Sequence, residues 1–233
     1  MVAIEGAVVV VTGGQRGLGK SIVDEFLARG AAKIYATARA PKPTDDPRVV
    51  AKPLDVTDPE SVAELARELT DVTIVVNNAG APGSGPLLGS TLEDVRTVFE
   101  TNFFGAVRVA QSFAPILASN GGGALVDVHS VLSWVGGAGA YGASKAALWS
   151  ATNSLRVELG PQGTLVTGVH LGYTDTDMIA DLDVPKNDPK DVAKAIVDGV
   201  ANGDTEVLAD DVTRYFKSVL AGPVEGLAIP AGA

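Results

Sequence analysis

Cysteine is absent from the 233-residue chain, so neither a disulfide framework nor a thiolate metal site can be built, which fits a reducing compartment. Only two histidines occur, His129 and His170. With no third ligand evident they read as strand-end structural residues, and no metal is expected. Aromatic residues make up only 5% of the chain, so Ala, Val, Leu and Gly have to supply most of the core. No apolar run approaches the ~18 residues of a membrane span. Met1 leads into what reads as a first strand, without a signal pattern. Basic residues are outnumbered 18 to 28, and the formal charge of −10 argues against general affinity for nucleic acid or anionic membranes. A soluble cytoplasmic protein is the expectation.

What is present has an order. Ala7–Val11 is a β-branched run without polar alternation, as expected of a parallel strand buried on both faces. It ends in Thr12-Gly13-Gly14-Gln15-Arg16-Gly17-Leu18-Gly19, and Ile22, Val23, Phe26 and Leu27 then mark one face of a helix that stops at Arg29-Gly30. Strand, glycine turn and helix together suit a pyrophosphate, because glycines admit close backbone approach and the helix start carries positive potential. A bare strand-to-helix turn is the alternative. Lys33–Arg39 reads as the second strand; it ends without the acid that typically holds a ribose in NAD-binding folds, and carries Arg39 instead. Arg39 and Arg16 can hold a 2′-phosphate through charge-assisted contacts, so NADP(H) is favoured over NAD(H).

A proline-rich connector (Pro41–Pro47) is too short for a full crossover helix, and a third strand is expected near Val49–Leu54. Asp55 at its end is either a turn former or an acceptor for an adenine amino group. Asp58-Pro59 starts a helix. Val72–Val76 is a further buried strand, leading to Asn77-Asn78-Ala79-Gly80, whose small residues allow a ligand close and whose amides can satisfy buried backbone groups. Ser90 and Glu93 fit a capping box ahead of a helical region from about Thr91 to Ala118, interrupted near Asn102 and Gly105. Asn102 is either glue at a kink or a functional group. Ala124–His129 is the next strand, closed by Ser130. Beyond it come a helix to about Glu158, a strand at Leu165–His170, an irregular lid at about 173–189 and a helix at Asp191–Val200. An edge strand at Glu206–Ala209 and a helix at Asp210–Leu220 complete the elements. The Gly-, Pro- and Ala-rich tail Ala221–Ala233 is expected on the surface or against a partner subunit.

Tyr141 and Lys145 lie one helical turn apart on one face. A nearby cation favours a phenolate, whereas burial alone drives both groups towards neutrality. Moving a tyrosine from pKa ~10 to neutrality requires about 4 kcal/mol, so a second cation would have to help. The alternative is a core tyrosine beside a solvated lysine.

Taken together, Thr12-Gly13, Gly17, Gly19, Asp55, Asn77–Gly80, Asn102, Ser130, Tyr141 and Lys145 closely resemble the single-domain branch of the short-chain dehydrogenase/reductase family, over nearly the whole chain. The resemblance implies an α/β, Rossmann-like, doubly wound fold, with a seven-stranded parallel sheet flanked by helices on both faces. It also implies one dinucleotide-binding catalytic domain over 1–233. Tyr141 would be the general acid/base for a carbonyl/alcohol pair. Lys145 would lower its pKa and hold the nicotinamide ribose, Ser130 would bond the substrate oxygen, and Asn102 would anchor a relay water. Cofactor contacts would come from Gly13, Gln15, Arg16, Gly17, Leu18 and Gly19, then Arg39, Asp55, Val56, Asn78, Ala79 and Gly80, and also Gly172, Thr174 and Thr176. Two departures stand out. Ser130 precedes Tyr141 by eleven positions rather than about thirteen, leaving Ser133 as a competitor, and Leu171-Gly172 replaces the usual Pro-Gly. Trp134, Val135, Tyr173, Met178 and Ile179 are either walls for a mainly apolar substrate or, the better reading for each, simple lid packing. A homotetramer or homodimer through the two long helices is implied. The rivals are an NADP(H)-sensing regulator without turnover and a nucleotide-independent dehalogenase-like lyase.

Overall fold

The computed structural model describes residues 1–83 and 85–228. Seven strands form one parallel sheet in the order β3-β2-β1-β4-β5-β6-β7. They are β1 (Val8–Val11), β2 (Lys33–Ala38), β3 (Val49–Pro53), β4 (Ile74–Asn77), β5 (Ala124–Val128), β6 (Leu165–His170) and β7 (Glu206–Leu208). The helices are α1 (Gly17–Ala28), α2 (Pro59–Glu68), α3 (Leu92–Phe99), α4 (Ala106–Ser119), α5 (Gly139–Leu159), α6 (Pro189–Asn202) and α7 (Asp211–Val219). Alternate strand residues feed two cores. Val9, Val11, Ile74 and Val76 meet Ile22, Phe26 and Ile196 of α1 and α6 on one face. Val10, Val75 and Leu125 meet Leu65, Phe113 and Leu117 of α2 and α4 on the other. This is the Rossmann-like doubly wound fold, and burial on both faces is why the strands carry so few polar residues.

Strand order reverses between β1 and β4, and such a reversal opens a crevice beyond the carboxyl ends of the strands. Thr12 ties the two strand ends together there: its hydroxyl receives the N–H groups of Asn78 and Ala79, both at 3.0 Å.

Local differences from the sequence expectation have simple causes. The capping box uses Thr91 and Asp94, not Ser90 and Glu93: Asp94 N–H donates to Thr91 Oγ1 at 3.1 Å and Thr91 N–H to Asp94 Oδ2 at 3.2 Å. Both pairs have the required spacing, and a 3₁₀ turn at Leu87–Gly89 runs up to Ser90 and leaves the cap to its neighbour. The interruption between α3 and α4 is a π turn at Glu100–Gly105. Gly105 is required where it packs on α2's approach, since a Cβ would stand 2.8 Å from Val56 Cγ2. The segment at 173–189 is pinched at its neck by a bridge between Thr174 and Asn187 and contains a 3₁₀ turn at Asp177–Ile179. The tail folds back as far as Ala228, with Gly136 N–H donating to Leu227 O. Residues 229–233 of that expected tail lie outside the described residues. No helix among the described residues is long and apolar enough to cross a membrane.

Thr91→Ala removes one half of the capping box and should cost about 1 kcal/mol in urea unfolding; an unchanged midpoint would show that the cap is not formed in solution.

Candidate functional site

The carboxyl ends of β1, β4, β5 and β6 converge on one crevice. On its β1 side, Gly13 and Gly17 have φ of 65° and 52°, a region glycine enters freely. Gly19 is required by contact: a Cβ there would meet Gly13 O at 2.2 Å and Asn78 Nδ2 at 2.6 Å. The turn is therefore packed from below by Asn78, whose Nδ2 donates to Thr12 O at 2.9 Å. α1 begins at this turn with Arg16 as its N-cap residue, so first-turn N–H groups face the crevice opening. These features fit the diphosphate of a dinucleotide, with the turn held rigid by the close packing at Gly19. Leu18 packs partly into the core below. Thr176, from the segment after β6, lies against Gly17, whose Cβ would stand 3.3 Å from the threonine methyl.

Gln15 does a different job from the one expected. Its carboxamide donates to Lys42 O at 2.7 Å and accepts from Lys42 N–H at 2.8 Å, which pins the β2–β3 connector beside the glycine turn. Arg16 and Arg39 are exposed, and among the described residues neither enters an ion pair. Asp55, half-buried at the end of β3, is held below the usual carboxylate range by hydrogen bonds from the Thr57 hydroxyl and amide and by Arg39. Its Oδ1 takes both Thr57 donors, at 2.7 and 2.9 Å, so Asp55 shapes the turn with one oxygen. Val56 is buried against Gly105.

On the β5 side stand the polar residues. Lys145 is buried, and its ammonium donates to Val128 O at 2.6 Å. Burial lowers its pKa to about 8, with Asp127 opposing. Tyr141 is half-buried, and the ammonium sits 6.0 Å from its ring centre. Burial pushes the phenol upward and a hydrogen bond with the Ser130 side chain pulls it down. Desolvation prevails, so the phenol lies above its ordinary value although the Lys145 ammonium is near. Ser130 Oγ accepts from Leu132 N–H at 3.1 Å, leaving its own proton to donate. The short loop is accommodated by a 3₁₀ turn at Val131–Ser133. Ser133 Oγ is buried and, among the described residues, unpartnered.

Asn102 is fully engaged as glue. Its Nδ2 donates to Ala81 O at 3.1 Å and to Ser144 Oγ at 3.0 Å, while Oδ1 accepts from Ala81 N–H at 2.7 Å. Both amide protons are spent on these bonds. Gly80 passes between Asn102 Oδ1 and Lys145 Nζ. Gly172 N–H donates to Asp210 Oδ2 at 2.6 Å, and Asn187 Nδ2 reaches the same oxygen at 2.7 Å. Thr174 is buried, its hydroxyl on Gly172 O at 3.2 Å. Asp210 thus anchors both legs of the 173–189 segment to the start of α7, a role the sequence did not reveal.

Trp134 and Val135 are not pocket walls. They are buried with Val131, Trp149 and Phe216 in a third apolar cluster, because the loop folds inward over β6. Tyr173 and Met178 are exposed. Asn77 Nδ2 joins Ala106 O and Asp127 Oδ1 at 3.1 and 2.9 Å. Among the described residues no group of His, Asp and Glu could hold a metal.

His129 and His170 are buried and in contact, Nδ1 to Nε2 at 3.2 Å. Burial lowers both pKa values, His170 to about 3, and the unfolded chain therefore binds protons below ~6.5 that the folded chain refuses. Asp127, raised by burial, works in the opposite sense but has one proton against two. Stability is accordingly expected to fall as pH drops from 6 to 5, at up to about 1.4 kcal/mol per unit for each net proton. Urea midpoints independent of pH in that window would contradict it.

Comparison with known proteins comes to the same place. The model of the family described as short chain dehydrogenase matches residues 7–187. The NADPH-dependent 1-acyldihydroxyacetone phosphate reductase of Schizosaccharomyces pombe is 37% identical over 179 residues, 72% of this chain and 60% of that protein. The chain thus spans about three fifths of that relative's length. The 1-deoxy-11-beta-hydroxypentalenate dehydrogenase of Streptomyces exfoliatus is 36% identical, over 87% of this chain and 75% of its own. A short chain dehydrogenase from Burkholderia cenocepacia, solved in complex with NADP, superposes with a TM-score of 0.90 at 35% identity, covering 96% of both chains.

Proposed function

The chain belongs to the short-chain dehydrogenase family, and on that premise we propose that it is an NADP(H)-dependent oxidoreductase interconverting a small-molecule carbonyl and alcohol. The observation that carries this reading is the meeting of Ser130, Tyr141 and Lys145 at the mouth of the glycine-lined crevice. Gly13, Gly17 and Gly19 would lie along the diphosphate, with Ala79 and Gly80 beneath the nicotinamide half. A bound NADPH would supply the hydride. In reduction, Tyr141 would hand its phenolic proton to the substrate oxygen, while Ser130 Oγ–H bonds that oxygen and steadies the developing alkoxide. Lys145 would swing part of its hydrogen bonding from Val128 O to a ribose hydroxyl. Arg39 and Arg16, exposed and among the described residues outside any ion pair, support a 2′-phosphate rather than a bare ribose.

Exposed Leu88, Leu92, Phe104 and Val157 leave apolar surface on and beside α3 and α5, in keeping with a homo-oligomer. The exposed Tyr173 and Met178 suit a mainly apolar substrate entering past the 173–189 segment.

Tyr141→Phe should abolish NADPH oxidation with any carbonyl compound found in a substrate screen, with NADPH affinity kept within about threefold, a change worth under 1 kcal/mol; turnover at the parent rate would end the assignment. Arg39→Ala should weaken NADPH by roughly ten- to a hundredfold, the worth of one charge-assisted hydrogen bond, and leave NADH nearly unaffected. Equal losses for both nucleotides would remove the phosphate role.

A further inference from the structure

Behind Ser130 and Lys145 a line of polar side chains crosses the interior between β5, α5 and β6. Asp127 is fully buried; its Oδ1 accepts from Asn77 Nδ2, and its Oδ2 lies 2.7 Å from Thr152 Oγ1. Thr152 Oγ1 is 2.8 Å from His129 Nε2, His129 Nδ1 is 3.2 Å from His170 Nε2, and His170 Nδ1 is 3.2 Å from the main-chain oxygen of Ser130. The site is built for these rings. β6 carries Gly168 opposite His129, where a Cβ would stand 2.7 Å from Cε1, and Trp134 stacks on His170 with ring centres 3.9 Å apart.

The hydrogens of such a line can be counted. A carbonyl oxygen only accepts, so the Nδ1 of His170 facing Ser130 O carries a proton. In a neutral His170 the Nε2 then accepts, which makes His129 donate from Nδ1. A neutral His129 in turn accepts at Nε2, and takes the single proton of Thr152. The threonine oxygen can now only accept, so Asp127 Oδ2 must be the one that donates: the carboxyl is protonated. Leu148 O, 2.8 Å from Thr152 Oγ1, competes for the threonine proton. Were it to win, His129 would donate from Nε2 and His170 would have to become an imidazolium. An ionised Asp127 demands the same imidazolium, because it reverses every bond between Asp127 and His170 while the bond to Ser130 O cannot reverse. The surrounding charges oppose that cation. Lys145 and Arg156 act on His129, and Lys145 and Lys217 on His170. Glu206, at 4.0 Å, would favour it but is already held by Lys217 Nζ at 2.6 Å, and the bond to Ser130 O, which also favours it, is outweighed by burial. Burial works the same way, lowering both imidazoles and raising the carboxyl.

We propose that Asp127, Thr152, His129 and His170 form a one-directional hydrogen-bond line that makes His170 a positioning residue for Ser130, gripping its main-chain carbonyl with an Nδ1–H whose tautomer is fixed by a protonated carboxyl at the far end. The proposal rests on Ser130 acting in the reaction proposed above. Ser133 N–H donates to the same carbonyl at 3.0 Å, so among the described residues His170 supplies the second bond to that oxygen. Loss of that bond acts on turnover through the direction of the Ser130 hydroxyl, and leaves the glycine crevice untouched.

With only two histidines in the chain, nitrogen NMR of the full-length protein reads both rings, assigned with His170→Asn. Both should be neutral with the proton on Nδ1 at pH 7 and still so at pH 5.5. An Nε2–H tautomer or an imidazolium at His170 overturns the proposal. Asp127→Asn sets an amide N–H where the carboxyl proton stood and keeps an acceptor for Asn77, so tautomers should not change and kcat should stay within about twofold. Reversed tautomers or a tenfold loss in that folded variant overturn it equally. His170→Asn keeps a donor near Ser130 O and should hold most of kcat, whereas His170→Leu should lose on the order of tenfold in kcat at unchanged NADPH affinity. Equal losses in the two variants remove the positioning role. Should His170→Leu fail to fold, the parent tautomers and Asp127→Asn still decide. Turnover that survives Tyr141→Phe would sink the oxidoreductase reading alone, and the tautomer result would stand without it.

Discussion

A charged ammonium buried beside a sheet end is held there by a single short bond, from Lys145 Nζ to Val128 O. Desolvation of a cation is costly, and a backbone carbonyl returns only part of that cost. The arrangement persists because parallel strands aim their last carbonyls into the crevice beyond the sheet, and because α5 brings Lys145 over the end of β5. The same geometry sets Tyr141 one turn earlier on that helix, beside Ser130 at the strand's own end. Remove the parallel sheet and none of these groups meets the others.

The cofactor side depends on a second, quieter constraint. Thr12, Asn78 and Gly19 pack so closely that the glycine turn has one shape, fixed by the hydroxyl and amide hydrogen bonds between the ends of β1 and β4. Gln15 extends the same order outward by gripping Lys42, so the connector lies beside Arg16 and not free in solvent. An anion site assembled from backbone N–H groups needs this rigidity, because its donors cannot be re-aimed by rotamer changes.

Much of this was legible in the sequence where local chemistry decides. The Val8–Val11 run, the glycine turn and the helix after it are local signals, and β6 was expected at the residues where it lies. Errors arose where two local solutions compete or where direction matters. Ser90 and Thr91 both satisfy the capping pattern, and only the preceding 3₁₀ turn chooses between them. Trp134 on a loop looks the same in sequence whether it faces a pocket or β6; the shortened loop turns it inward. The buried line of Asp127, Thr152, His129 and His170 joins residues from three elements, and no spacing rule connects them. Its sequence traces were the two strand-end histidines and an aspartate inside the apolar strand Ala124–Val128, a buried acid that had to find a partner.

On the oxidoreductase reading, the state of the phenol bears on direction. With Lys145 turned to Val128 O and burial raising the tyrosine, Tyr141 keeps its proton throughout the neutral range. That is the form a carbonyl reduction consumes, and it is available without help from any second cation. Alcohol oxidation would need the phenolate, which an additional positive charge beside the ring would favour. The oxidised nicotinamide carries such a charge and the reduced one does not. On that reading the tyrosine would serve as acid beside the reduced nucleotide and as base beside the oxidised one, with no residue of the site exchanged.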